Sequence, residues 1–217
     1  MMRLETQAWW SVVKSGVCIV VMLGAAACGG SEAPQTQTAT PPQSRATATA
    51  EVTEKPFVSG GKIELQLEAG SYTIRPSTGT AVRVALSGNV GAAKVEVTTT
   101  GAEAKVSVRE TPRNNFQATI EVPQTADLTI RLSAGDLEVG AISGSKDIES
   151  NAGNVNIVTG DSEDYASVDA SVKAGDLNAG PFGESQSGLF RSLTWSGKGK
   201  YTLRARLLAG NLTLRSN

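Results

Sequence analysis

The sequence predicts an all-β fold, a β-solenoid-like stack of short strands with Gly-Asp and Gly-Asn turns, and three observations predict it. Apolar and polar residues alternate at period two through most of the chain after residue 61, as half-buried strands require. Gly is abundant, at 23 of 217 residues, and no apolar stripe of helical period is readable. One tetrapeptide then recurs: Ala134-Gly135-Asp136-Leu137, Ala152-Gly153-Asn154-Val155, Ala174-Gly175-Asp176-Leu177 and Ala209-Gly210-Asn211-Leu212.

The elements follow in chain order. Residues 1–27 read as an export signal: Arg3 and Lys14 precede a short apolar run from Val17 that ends in small residues directly before Cys28. That run is shorter than the ~20 apolar residues a bilayer span needs. Leu23-Gly24-Ala25-Ala26-Ala27-Cys28 looks like a lipobox, which implies acylation of Cys28. Cys18 falls inside the discarded run, so Cys28 has no disulfide partner in the chain, and lipidation accounts for its isolation. Several acyl chains, at ~0.8 kcal/mol per buried methylene, make a firm anchor. Gly29 after the cysteine, rather than Asp, is similar to lipoproteins of the Gram-negative outer membrane.

Residues 28–57 read as the lipidated cysteine followed by a linker. Ser31–Pro56 is rich in Thr, Ala, Gln and Pro and poor in bulky apolar residues, so it cannot build a core. A flexible chain of that length reaches about 30 Å.

Residues 58–217 are the expected all-β domain. Ile63/Leu65/Leu67, Val82/Val84/Leu86, Val95/Val97, Val106/Val108, Phe116/Ala118/Ile120/Val122 and Leu128/Ile130/Leu132 all alternate with polar neighbours. Over Lys62–Val122 the same alternation also fits an antiparallel sandwich, and both architectures stay open there. The repeat glycines lie 18, 22 and 35 residues apart, close to one solenoid rung each, with an insertion or hairpin over roughly Pro181–Lys200 in the last interval. In each repeat Gly135, Gly153, Gly175 or Gly210 supplies positive φ, and Asp136, Asn154, Asp176 or Asn211 bonds neighbouring backbone before the chain re-enters the core.

With Ile142-Ser143-Gly144 between them, the segments around Asp136 and Asn154 resemble the putative-adhesin β-repeat family of unknown function found in bacterial envelope proteins. The resemblance implies a repetitive β architecture with an adhesive or structural role. It transfers no catalytic residue, because the repeated positions are turn positions.

Composition removes several function classes. Lys and Arg number 20 against 21 Asp and Glu, and loss of residues 1–27 removes Arg3, Lys14 and Glu5, leaving 18 basic against 20 acidic side chains. No basic face for nucleic acid is implied. Histidine is absent, which removes the commonest general base and metal ligand. Asp136 and Asp176 form a column of calcium ligands only if several carboxylates converge, and the Asx-turn ladder is the preferred reading. Asp161, Glu163 and Asp164 read as a solvated acidic turn. Ser143-Gly144-Ser145-Lys146 matches the SxxK of serine acyl-transferases but lacks the partner motifs. No catalytic residue, metal or cofactor is expected, and the competing class is an envelope carbohydrate-active enzyme on a β-helix scaffold. Phe182, Leu189, Phe190, Arg191, Trp195 and Tyr201 include four of the eight aromatics of the mature chain, and read as a cap over the end of the stack or as a partner-binding patch. The expected partners are the membrane, through Cys28, and an envelope or surface component.

Overall fold

The computed structural model describes residues 51–216. The signal segment, Cys28 and most of the linker lie outside the described residues. Thirteen strands form one mixed sheet: β1 (Val52–Pro56), β2 (Lys62–Leu67), β3 (Gly70–Ser77), β4 (Ala81–Gly88), β5 (Lys94–Thr100), β6 (Glu103–Arg109), β7 (Phe116–Pro123), β8 (Asp127–Leu132), β9 (Gly135–Val139), β10 (Lys146–Val158), β11 (Tyr165–Ala179), β12 (Glu184–Ser196) and β13 (Tyr201–Arg215). Two single 3₁₀ turns, Ser162–Asp164 and Gly180–Phe182, lead into β11 and β12. No helix among the described residues is long and apolar enough to cross a membrane.

The long strands β10, β11 and β13 each carry a repeat tetrapeptide near the middle, and the sheet bends there into two wings. On one wing β10 pairs in parallel with β8, on the other with β9, and β13 lies along its opposite side throughout. The Gly-Asp and Gly-Asn pairs of β10, β11 and β13 are therefore corners inside continuous strands, while Gly135-Asp136 opens β9 after a two-residue break from β8. The outer strands of the two wings, β1 and β5, approach each other, so the sheet curls most of the way towards a barrel.

Alternation places every second side chain on the inner face, where apolar rows run across the strands. Val97, Val106, Leu65, Ile130, Ile148, Ala205, Ala170 and Leu193 succeed one another across eight strands of the first wing, all buried. Val84, Ile120, Ile74, Val139, Ile157 and Leu214 do the same across the second. Full burial of each Val, Leu or Ile contributes roughly 1.5–3 kcal/mol, so these rows hold the wings together over one shared core.

Three expectations need correction. The linker ends earlier than residue 57, because Val52–Pro56 pairs antiparallel with β4 and Phe57 is buried. Its one short strand carries Glu54, Lys55 and Pro56, the charged and Pro-bearing composition of a sheet edge, which a core-seeking reading takes for tether. The first half is not an antiparallel sandwich: β2 runs parallel to β6 and β8, and β3 to β7 and β9, with antiparallel pairing only where β1, β4 and β5 are added outside. Finally, the rungs do not stack in sequence order. The last strand, β13, inserts between β10 and β11, and β12 runs antiparallel on the outside of β11.

Candidate functional site

The repeats meet in columns along the corner. Gly70, Gly135, Gly153, Gly210 and Gly175 are direct neighbours from strand to strand, and Gly188 of β12 continues the line. Gly135, Gly153, Gly175 and Gly210 have φ between +114° and +134°. A Cβ on Gly153 would land on the carbonyl oxygen of Gly135, and one on Gly210 on that of Gly153, well inside van der Waals contact. The corner is thus available only to residues without a side chain.

One residue further on, Asp136, Asn154, Asn211 and Asp176 form an exposed column in that order. Asn154 donates its amide to Asp136 Oδ1 at 2.8 Å, and Asn211 donates to Asn154 Oδ1 at 2.9 Å. The two amides separate the two carboxylates by three strand spacings, about 14 Å. This is an Asx ladder bonding side chain to side chain, and the spacing keeps the carboxylates too far apart to share a cation. The next residue of each repeat, Leu137, Val155, Leu177 and Leu212, returns to the core. Asp161 caps the 3₁₀ turn by accepting from the Glu163 N–H at 3.0 Å. Among the described residues no three His, Cys, Asp or Glu side chains converge as a metal site.

On the outer face of the first wing the charges alternate. Arg131 pairs with Asp147 at 3.3 Å and with Glu149 at 3.2 Å, and Arg206 reaches Glu149 at 3.4 Å. A shallow groove of about 330 Å³ opens here beside Asp147 and Asp169, with Arg204 on the strand between them.

The SxxK lysine has a different setting from the one the motif requires. Lys146 is buried in an inner row between Leu128 and Leu203. Its ammonium donates to the carbonyls of Ile142 at 2.7 Å and Gly144 at 3.0 Å, and to Tyr165 Oη at 3.0 Å, which uses all three N–H groups within the fold. Burial lowers its pKa to about 8, against the opposing pull of the Asp127 and Asp164 carboxylates. Tyr165 in turn donates to the Thr159 carbonyl at 3.2 Å, and burial, with help from Asp164, pushes its phenol up to about 12.

The aromatic segment divides in two. Phe182, Trp195 and Tyr201 turn inward around Tyr165: Phe182 packs at 5.1 Å on Trp195 and 6.0 Å on Tyr165, and Tyr165 lies 6.4 Å from Tyr201. These rings close one end of the core. Leu189, Phe190 and Arg191 instead occupy the corner of β12, where Leu189 is 63% and Phe190 78% exposed. Phe190 adopts φ +55°, a strained conformation for a bulky side chain. Arg191 is half-buried, and its Nε has no hydrogen-bond partner.

The buried Lys146–Tyr165 pair escapes motif reasoning, yet period-two counting from Ile148 already puts Lys146 on the core face.

No family model matches this chain, and no curated protein matches it. Among solved structures it is similar to the crystal structure of a "putative cell adhesion protein" from Clostridium sporogenes, at 14% identity and a TM-score of 0.46, over 77% of this chain and 100% of that one.

Proposed function

We propose that the chain is a lipid-anchored protein of the cell envelope, held at the outer membrane through Cys28, whose β-solenoid-like repeat domain is a non-catalytic module for adhesion, scaffolding or partner binding. The observation that carries this reading is the pair Leu189 and Phe190, displayed at a rigid corner at the free end of the sheet. Large apolar side chains grouped on an otherwise polar surface are the usual anchors of interfaces. The anchor is supported by the small residues before Cys28 and by that cysteine's lack of a disulfide partner.

The test is a pull-down from intact cells with the full chain and with Leu189→Ala/Phe190→Ala. The double variant is expected to lose its co-purifying component while its circular dichroism is unchanged, since both side chains are exposed. Retention of that component overturns the binding role of the corner. Mass spectrometry of the same material reports acylation at Cys28, and an unmodified thiol there overturns the anchor.

A further inference from the structure

We propose that the chain self-associates edge to edge through β12, two copies pairing antiparallel about a two-fold axis at the corner formed by Gly188, Leu189 and Phe190. This rests on the partner-binding reading above and names the partner as a second copy of the chain.

The sheet's free edges contrast in composition. Of the open strands, β1 carries Glu54, Lys55 and Pro56, and β5 carries Lys94 and Glu96, which are standard devices against further pairing. Along its 13 residues β12 has neither Pro nor Lys and carries one acid and one base, Glu184 and Arg191, while Ser185, Ser187, Ser192, Thr194 and Ser196 dominate its exposed positions. Among the described strands it pairs only with β11, so its other side is an edge.

Shape narrows the choice of occupant. A strand added to β12 must follow both wings and therefore bend at the corner without a side chain in the way. A straight peptide covers one wing only. β12 itself is such a bent strand, with Gly188 in line with the glycine column. Rotation by 180° about the bisector of the corner exchanges the wings, reverses the strand and keeps the inner face inward. The copy's β12 then continues the sheet antiparallel, as an isologous and self-limiting contact.

Strain at Phe190 points to the same contact. A phenylalanine at φ +55° is strained where glycine would not be, and in the monomer its ring is exposed. Across the two-fold axis, Leu189 and Phe190 of one copy lie against the same residues of the other, so the exposed rings are covered by each other.

The experiment uses the full chain in intact cells with Leu189→Cys, oxidised and run without reductant. The expected product has twice the mass of the chain. Thr98→Cys on the edge of β5 controls for chance collision and is expected to give none. Adding Phe190→Gly removes the ring and relieves the backbone, so it is expected to leave the fold as stable or more so while cutting the product about tenfold. An equal product from Thr98→Cys overturns the proposal, as does a product undiminished by Phe190→Gly. The absence of any product also overturns it and leaves partner binding to the pull-down. A product of any other mass overturns self-association but upholds a partner at this edge.

Discussion

Lys146 stands where its strand's alternation calls for an apolar side chain, and its energetics depend on proton binding. Burial depresses its pKa to about 8, so between there and the ordinary value of 10.5 the unfolded chain holds a proton that the folded chain has released. More protons on the unfolded state means stability rises with pH across that window. The tyrosines act oppositely: burial raises the phenols of Tyr72 and Tyr165, so their contribution is present below pH 10 and lost as the pH climbs beyond it. Stability is expected to rise by about 2 kcal/mol from pH 8 to 10 and then fall. Urea midpoints across this range measure it, and Lys146→Met should flatten the rising limb; an unchanged limb would assign it to other groups. Tyr72 offers a second test. Its hydroxyl is buried with no hydrogen-bond partner while its ring packs edge-on at 5.9 Å against Phe116. Tyr72→Phe keeps the ring contact and deletes the unsatisfied group, so thermal melting should show a gain of about 1 kcal/mol.

Among elements, the corner strands bear the most specific constraint, because backbone approaches backbone at the glycine column. Gly153→Ala adds a methyl where the Gly135 carbonyl already lies, at φ +120°. It is expected to destabilise by about 3 kcal/mol or more, read as a drop in the denaturation midpoint, since neither neighbouring strand can move without opening the sheet. A loss below about 1 kcal/mol would mean that the corner is looser than its geometry. Four positions of this column, Gly135, Gly153, Gly175 and Gly210, stood out in the sequence through the repeated tetrapeptide, whereas Gly70 and Gly188 lie outside that repeat and were not legible. Strand existence was legible for the same kind of reason: Ile63/Leu65/Leu67 and Leu128/Ile130/Leu132 report a buried face directly. Partnership was not. Period two says which way a side chain points and nothing about which strand lies alongside, so the parallel pairing of β2 with β6 and β8 had no local signature. Edge strands were the hardest to read. β1 is made of the residues that protect an edge, and those are also the residues of a linker. At the candidate site, composition gathered Phe182, Leu189, Phe190, Trp195 and Tyr201 into one segment, but the division between side chains facing the core and side chains facing solvent depends on where the corner falls along β12, which is a property of pairing with β11.

At the scale of the whole molecule, β13 is central although β12, which precedes it, lies at an edge. β13 is flanked by β10 on one side and β11 on the other, each pairing parallel to it along nearly its full length. Parallel strands buried between neighbours have no free main-chain groups to expose, and Leu203, Ala205, Leu207, Leu212 and Leu214 are all buried. Until β13 arrives, β10 and β11 each lack a neighbour, so the two-winged sheet is complete only when β13 docks. Amides of Leu203–Leu207 and Leu212–Leu214 should therefore exchange with hydrogen–deuterium protection matching that of Ile148 and Ile157 in β10, and more slowly than those of β1, β5 and β12. Protection in β13 approaching the global stability identifies it as part of the same cooperative unit as the core. Exchange in β13 as fast as in the free edges would mean that it docks onto a sheet already stable without it. Because its pairing to β10 spans 57 residues of chain, closure of that contact is late and slow, so acquisition of protection in β13 during refolding should coincide with the final loss of exposed apolar surface rather than precede it.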